Sequence, residues 1–228
     1  MSLLAPDDLA AILLSLKVAG VATLGGLPLA IAVAWLLARG RFPGRTLLDA
    51  ATYLPLVLPP VATGYALLVL LGRRGPLGSV LERIGLPLAF HWTGAAVAAA
   101  VMAFPLMARP IRLSIEAIDK EVEEAALTLG AGPIVRFLRV TAPLAAPGIA
   151  AGAVLGFAKA LGEFGATITF VGAIPGETLT LPIDIYQATQ TPGAETRAIV
   201  LCVIAATIAI GAVLVAEALQ QRLLTKRA

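Results

Sequence analysis

The sequence predicts an all-α polytopic membrane protein with about five transmembrane helices. Hydrophobic residues make up 59% of the 228 residues, and only 14% are charged. The mean hydropathy of +0.92 reflects more apolar surface than a soluble domain of this length can bury. The apolar residues also gather into stretches long enough to cross a bilayer, which takes about 20 residues each. The predicted spans are 11–38, 46–71, 92–109, 147–172 and 196–218.

The first two predicted spans contain residues that disturb a regular helix. Gly25, Gly26 and Pro28 in the first span predict a kink or a point of close contact with another helix. Pro59 and Pro60 in the second span lack two consecutive amide donors. We therefore expect the second helix to be broken near the middle of the membrane.

A polar segment, Glu124–Pro143, follows the short third span and is here called the cassette. Apolar residues before and within it share one helical face. They are Ile115, Ile118, Val122, Ala125, Ala126 and Leu129. Glu116, Lys120 and Glu123 are expected on the opposite, solvated face.

The cassette is predicted to be two short helices joined by a tight turn. Gly130 and the Gly132-Pro133 pair interrupt the first helix, and Ile134 restarts the apolar stripe. Such a polar knob between apolar spans is suited to a groove on a soluble partner protein. The alternative is an ordinary amphipathic helix at the membrane interface.

The fourth predicted span has a smooth ridge of small residues on one face. Gly148, Gly152 and Gly156 recur every fourth residue, which predicts close packing against another helix. Lys159 and Glu163 lie on one face at a depth where ionisable groups are costly and often functional. They are interpreted either as a self-neutralising ion pair or as substrate contacts. A re-entrant turn near 162–165 is the alternative to a continuous span.

Residues 173–196 form a loop that contains acidic residues and no lysine or arginine. A short helix is expected at about 183–189, and the loop either docks an external partner or caps the bundle. Cys202 in the last span is expected to be inert packing.

The basic residues predict the orientation of the chain. Many lie in the loop after the first span, around the cassette and at the end of the chain. They are Arg39, Arg41, Arg45, Arg109, Arg112, Lys120, Arg136, Arg139, Arg222, Lys226 and Arg227. The positive-inside rule therefore places the cassette and the C-terminus in the cytoplasm and the N-terminus outside. An odd number of spans gives the same orientation.

The sequence contains no pattern that predicts catalysis. There is no phosphate-binding loop for ATP, and one histidine with one cysteine cannot build a zinc centre. The net charge of +3 is explained by the basic loops and not by nucleic-acid binding. The expectation is a protein that is not an enzyme and holds no metal or cofactor.

The cassette resembles the cytoplasmic coupling loop of ABC-importer permease subunits. The family pattern is Glu-Ala-Ala, three residues, Gly, nine residues, Ile, one residue and Leu-Pro. The matching residues are Glu124, Ala125, Ala126, Gly130 and Pro143. Val140 takes the place of the isoleucine, and Ala142 that of the leucine.

This resemblance implies a type I importer permease, with residues 1–228 as one transmembrane domain in the cell membrane. The coupling loop, about 110–145, would seat on a cytoplasmic ATPase subunit that supplies the energy. The loop 173–196 would face an extracytoplasmic binding protein. Because the motor ATPases work in pairs and the chain has one cassette, a homodimer around one pore is expected, with a heterodimer of two permeases as the alternative.

The C-terminal half is similar to molybdate-transport permease subunits. The similarity covers Gly162–Phe170, Ile174–Thr178 and Gln190–Gly193, together with Tyr186 and Gln187. It implies import of molybdate, and of tungstate as a second candidate, delivered by an oxyanion-binding protein. The alternatives are a sulfate or thiosulfate permease, which shares the fold, and a secondary transporter that uses Glu163 for ion coupling.

An anion pathway is hypothesised at the broken second span. If the helix restarts at Pro60, the free amides of Val61, Ala62 and Thr63 would face a gap in the membrane. The Thr63 hydroxyl would assist them, and Lys159 and Glu163 are further candidates for the pathway. The alternative is a kink that only shapes the packing.

Overall fold

The computed structural model describes residues 6–225, and every regular element in that range is helical. The all-α prediction is therefore confirmed. In chain order the α-helices are α1 (Pro6–Arg39), α2 (Arg45–Val57), α3 (Pro60–Leu71), α4 (Gly78–Arg83), α5 (Trp92–Glu116), α6 (Lys120–Thr128), α7 (Pro133–Arg136), α8 (Ala142–Leu144), α9 (Ala146–Leu161), α10 (Gly165–Val171), α11 (Leu181–Gln190) and α12 (Glu195–Thr225). A π-helical turn, Phe137–Thr141, lies between α7 and α8.

Within the described range, three helices are long and apolar enough to cross a membrane alone: α1, α5 and α12. Two further candidates are bent pairs. The axis of α3 is turned by 114° from that of α2, and α9 is turned by 72° from the segment Pro133–Leu144. Counting each pair as one span gives up to five, in agreement with the sequence prediction.

The break in the second span falls where the two prolines predict it. Helix α2 ends at Val57, and α3 begins at Pro60. Pro60 occupies the first helical position, where the absent N–H would have no intrahelical acceptor. The chain therefore changes direction at Leu58 and Pro59 without losing further hydrogen bonds.

Two boundaries differ from the prediction. Helix α5 runs through Pro105 to Glu116 and is longer than the predicted span 92–109, because neither Pro105 nor Pro110 ends the helix. The predicted span 147–172 is divided, since α9 ends at Leu161 and α10 starts at Gly165, as in the re-entrant alternative. Helix α1 passes through Pro28 as one helix.

Helices α1, α5 and α9 form the centre of the bundle, with alanine and glycine at their contacts. A Cβ added at Gly152 would lie 2.6 Å from the Met107 carbonyl oxygen, and one at Gly26 would lie 2.7 Å from Met107 Cε. The ridge of small residues on α9 and the close-contact interpretation of Gly26 are both confirmed. Backbones approach this closely only where a side chain is missing.

The segment that leads into the cassette is not one continuous stripe. Ile115 and Ile118 are buried in the core, whereas Val122 on α6 and Leu129 just after its end are exposed. The helix is interrupted because Asp119 caps α6, accepting a hydrogen bond from the Glu121 N–H at 3.0 Å.

The last two predicted elements have mixed outcomes. Helix α11 confirms the short helix expected at 183–189. Cys202, expected to be inert packing, is exposed on the single chain and is therefore not packed within it. Lys226 and Arg227, used in the orientation argument, lie outside the described residues.

Candidate functional site

The turn inside the cassette is fixed by a left-handed glycine. Gly130 has φ +83°, and its N–H donates to the Leu127 carbonyl at 2.9 Å. The Ala131 N–H donates to the Ala126 carbonyl at 3.0 Å. These two bonds form a Schellman motif, which satisfies the carbonyls at the end of α6 and turns the chain towards α7.

The residues of the cassette motif lie mostly on an open surface. Glu124, Ala125, Gly130 and Pro143 are exposed, whereas Ala126 and Val140 are half-buried. Large apolar side chains surround them without cover from the rest of the chain. These are Leu127, Leu129, Ile134, Val135 and Leu138, of which Leu129 is 87% exposed. A charged rim around exposed apolar side chains is typical of a protein-docking surface.

Glu123 is not on a solvated face, and that prediction was wrong. Glu123 is only 8% exposed, and both of its carboxylate oxygens accept hydrogen bonds. Arg39 Nε donates to Glu123 Oε2 at 2.7 Å, and the Thr141 hydroxyl donates to Glu123 Oε1 at 2.7 Å. The desolvation cost of the buried carboxylate is offset by these partners, which is why it faces inward.

The end of α1 makes a second contact with the cassette. The Trp35 and Phe137 rings are arranged edge to face, with centroids 5.9 Å apart. Trp35 and Arg39 are four residues apart and therefore lie on one face of α1. One helix end thus contacts both α6 and the π-helical turn.

The predicted pathway residues Pro60, Val61 and Ala62 lie at the start of α3, and the start of α10 lies beside them. A Cβ added at Gly165 would lie 2.7 Å from Pro60 Cβ and 3.5 Å from the Val61 nitrogen. Pro60, Val61 and Ala62 are exposed. Two helix N-termini, each with a partial positive charge, therefore lie side by side.

Two of the three amides predicted to be free are paired. The Ala62 and Thr63 N–H groups both donate to the Pro59 carbonyl, at 2.9 and 3.1 Å. They are bonded because α3 already follows helical geometry from its first residue. Thr63, in contrast, is only 7% exposed. Its hydroxyl group is buried and has no hydrogen-bond partner.

Lys159 and Glu163 form the ion pair that was one of the two interpretations. Lys159 Nζ donates to Glu163 Oε2 at 2.6 Å, and the Ala166 N–H donates to Glu163 Oε1 at 3.0 Å. The Glu163 carboxylate is buried, whereas the Lys159 side chain is partly exposed. Glu163 therefore neutralises Lys159 and caps α10 at once.

A second buried charge cluster lies where α1, α11 and α12 meet. Arg197 Nε donates to Asp8 Oδ1 at 2.9 Å, and its Nη2 donates to Asp184 Oδ1 at 2.7 Å. Asp184 is 1% exposed, and its second oxygen has no hydrogen-bond partner. Burial raises the pKa of the Asp184 carboxyl above its ordinary value of 3.8, and Arg197 opposes that rise.

Sequence reasoning missed the partners of these groups. Arg39 was counted only as a loop charge, Asp8 was not considered, and Thr141 carried no pattern. The contact between Arg39 and Glu123 joins residues 84 positions apart. The one local signal available was Asp119, whose type and position before α6 are those of a helix cap.

Comparison with known proteins gives a family match over most of the chain. Residues 26–227 match the family described as binding-protein-dependent transport system inner membrane component. The molybdenum transport system permease protein ModB of Escherichia coli (strain K12) is 55% identical over 208 residues, 91% of each chain. The ModB of Haemophilus influenzae is 51% identical over 220 residues, 96% of each chain.

Two further similarities bear on substrate and fold. A probable sulfate transport system permease protein of Chlorokybus atmophyticus is 38% identical over 157 residues, 69% of this chain and 55% of that protein. The crystal structure of a bacterial alginate ABC transporter, in complex with an alginate-bound periplasmic protein, contains a chain that superposes with a TM-score of 0.76 at 21% identity. That superposition covers 96% of this chain and 80% of the other, and it shows a shared fold.

Proposed function

Because this chain belongs to the family of binding-protein-dependent transport system inner membrane components, we propose that it is the membrane-spanning permease subunit of an ABC importer of molybdate. The observation that carries the proposal is the similarity to molybdenum permeases along nearly the whole chain. Tungstate is a second substrate in this proposal, because it is also a tetrahedral dianion. Sulfate is the less favoured alternative, since the sulfate permease is the more distant relative and matches less of the chain.

The cassette is the proposed docking site for the ATPase subunit. Its exposed apolar side chains have no cover within the chain, and Gly130 holds them in one rigid turn. ATP hydrolysis belongs to the partner in this proposal, and the chain itself has no catalytic role. The charged residues around the apolar patch favour a soluble partner over a membrane surface.

The opposite end of the molecule is the proposed docking side for an oxyanion-binding protein. With the cassette in the cytoplasm, the loop 173–196 and the N-terminus are outside and the C-terminus is inside. The distribution of basic residues supports this orientation. Helix α11 gives the outer loop a rigid element on which a partner can rest.

A second copy of the chain completes the proposed transporter. One chain carries one cassette, so two copies related by a two-fold axis along the membrane normal would present two cassettes to a pair of ATPases. The pore would then lie between the two copies. The many exposed apolar side chains on α2, α3 and α12 are available for lipid or for such a partner.

The translocation pathway is proposed to pass the start of α3. Pro60, Val61 and Ala62 line it there, and the adjoining N-termini of α3 and α10 favour an anion. Lys159 and Glu163 adjoin the pathway as an ion pair without net charge, so the attraction for the anion is assigned to the helix N-termini. The Thr63 hydroxyl is the spare donor next to this point.

Substitution of Thr63 tests the pathway. Thr63→Val keeps the shape of the side chain and removes the unpaired hydroxyl. We expect molybdate uptake to fall about fivefold, the factor for one hydrogen bond worth about 1 kcal/mol. The matched control is Thr207→Val on α12, where an exposed hydroxyl only bonds its own helix. Equal uptake by both variants would remove Thr63 from the pathway.

The energetics of import follow from a shift between two populations. ATP binding would close the motor pair, move the cassettes together and favour the outward-open state, and hydrolysis would restore the inward-open state. Each ligand must prefer one state, because equal affinity for both shifts nothing. Tight binding of molybdate inside the pore would only slow its release.

Co-purification tests the assignment against a secondary transporter. We expect the solubilised chain to elute as a stable complex with a soluble ATPase, two copies of each. A secondary transporter would elute without an ATPase and would support ion-driven uptake, and that result would contradict the proposal. The cassette would then be left without a partner.

A further inference from the structure

We infer that Arg39, Glu123 and Thr141 form the joint that passes movement of the cassette to the membrane helices, with Glu123 as its positioning residue. The inference rests on the proposed function, because it takes the cassette to be moved by an ATPase. Neither the motif of the family nor the pathway residues include this set.

The joint gathers three separate elements around one carboxylate. Glu123 lies on α6, Arg39 is the last residue of α1, and Thr141 ends the π-helical turn. The two oxygens of Glu123 are divided between them, with Oε2 facing Arg39 and Oε1 facing Thr141, each at 2.7 Å. A carboxylate held from two sides cannot rotate away, so the three elements keep one relative arrangement.

Arg39 also fixes the interruption between α5 and α6. Its Nη2 donates to the Ile118 carbonyl at 3.0 Å, and Ile118 lies between the end of α5 and the cap of α6. The same guanidinium therefore holds the hinge segment and the helix that follows it. A planar guanidinium with several fixed donors suits this double contact better than a lysine.

The joint provides a polar route from α6 to the bundle. Helix α6 packs mainly on α7 and the π-helical turn, whereas α1 packs extensively on α5 and α9. The contact between Trp35 and Phe137 lies one turn before Arg39 on α1 and adds an apolar link. A π-helical turn at such a place is a frequent feature of functional sites.

The ion pair between Arg39 and Glu123 is largely shielded from solvent. The side chains of Arg39 and Glu123 are 15% and 11% exposed. Salt screens an exposed ion pair strongly and a buried or partly buried pair much less. Removing one partner leaves the other charged group buried without compensation, so the two residues are expected to act through each other.

The test is the ratio of molybdate uptake to ATP hydrolysis in proteoliposomes that contain this chain, its ATPase and its oxyanion-binding protein. The variants are Glu123→Gln, Arg39→Gln, the double variant, and Thr141→Val as a milder change. The matched control is Glu121→Gln, which removes the same charge from an exposed position on the same helix.

We expect Glu123→Gln to hydrolyse ATP while its uptake per ATP falls at least about fivefold, the lower end of ordinary coupling factors. The double variant should lose no more than either single variant, Thr141→Val should change the ratio in the same direction, and the control should keep it. An unchanged ratio of uptake to hydrolysis in Glu123→Gln, including a proportional fall of both, would overturn the inference. Additive losses in the double variant would overturn it as well. Absence of ATP-driven uptake in the unsubstituted complex would instead contradict the proposed function.

Discussion

At the scale of single residues, Gly130 fixes the shape of the cassette. Its φ of +83° is a left-handed conformation, which costs a residue with a side chain about 1–2 kcal/mol. We expect Gly130→Val to distort the turn and to lower molybdate uptake per ATP several-fold, because Leu129 and Ile134 would no longer share one surface. Parallel measurement of uptake and ATP hydrolysis checks this.

Two other variants control for Gly130→Val. Asparagine tolerates the left-handed region, so Gly130→Asn should retain most of the coupling. Gly132 has an extended backbone and open space around it, so Gly132→Ala should have no effect. If valine at position 130 coupled as well as glycine, the turn would not be what holds the docking surface.

Asp184 gives the residue-scale prediction on pH. Because burial raises its pKa in the folded state, the folded chain holds this proton more firmly than the unfolded chain does. Its contribution to stability is therefore greatest below the ordinary value of 3.8 and is lost as pH rises through the folded-state pKa. We expect the melting temperature of wild type minus that of Asp184→Asn to increase as pH falls from about 7 to 4.

Asp8→Asn provides the contrast for that measurement. Asp8 is also buried against Arg197, but its substitution leaves the Asp184 carboxyl in place. Because the charge and the hydrogen bond of Asp8 also raise the pKa of the Asp184 carboxyl, the effect of Asp184→Asn should rise less steeply on the acidic side when it is measured in the Asp8→Asn background. A pH-independent difference for Asp184→Asn would show that this carboxyl titrates alike in the folded and unfolded chain.

At the scale of elements, the helix breaks and the close contacts were predictable because their chemistry is local. The missing amide donor of Pro60 is a property of the residue itself and suits the first position of a helix. The missing Cβ atoms of the glycines on α9 likewise allow another helix to approach closely. The inward position of Glu123 was not predictable, because it depends on an arginine 84 residues away. The end of α5 was misplaced for a related reason, since its helix continues past two prolines inside a packed bundle.

The ridge on α9 makes the element-scale prediction. A Cβ at Gly152 would lie 2.6 Å from a backbone oxygen of α5, so Gly152→Ala must push the two helices apart. We expect it to destabilise the protein by about 1–3 kcal/mol, measured as a lower thermal midpoint in detergent.

The control is Gly211→Ala on α12, where nothing lies within 4 Å of the added atom. That change should be neutral or stabilising by up to about 1 kcal/mol, because alanine favours a helix more than glycine does. Equal midpoints for the two variants would contradict the close approach of α9 to α5.

At the scale of the whole molecule, the architecture follows from composition and periodicity, whereas the proposed substrate follows from similarity to other permeases. Composition and periodicity predict a bundle of about five spans, and residues 6–225 provide three spanning helices, or up to five spans if each bent pair counts as one. Molybdate and sulfate are both tetrahedral dianions, and the helix N-termini of the proposed pathway would attract them alike. The preference for molybdate comes from similarity along the chain and needs a direct measurement.

The most direct measurement is uptake of labelled molybdate into proteoliposomes that contain this chain, its ATPase and its oxyanion-binding protein, with sulfate in excess. We expect uptake that requires ATP and is unaffected by sulfate. Suppression by sulfate would move the assignment to the sulfate permeases. Uptake without ATP would contradict the importer account altogether.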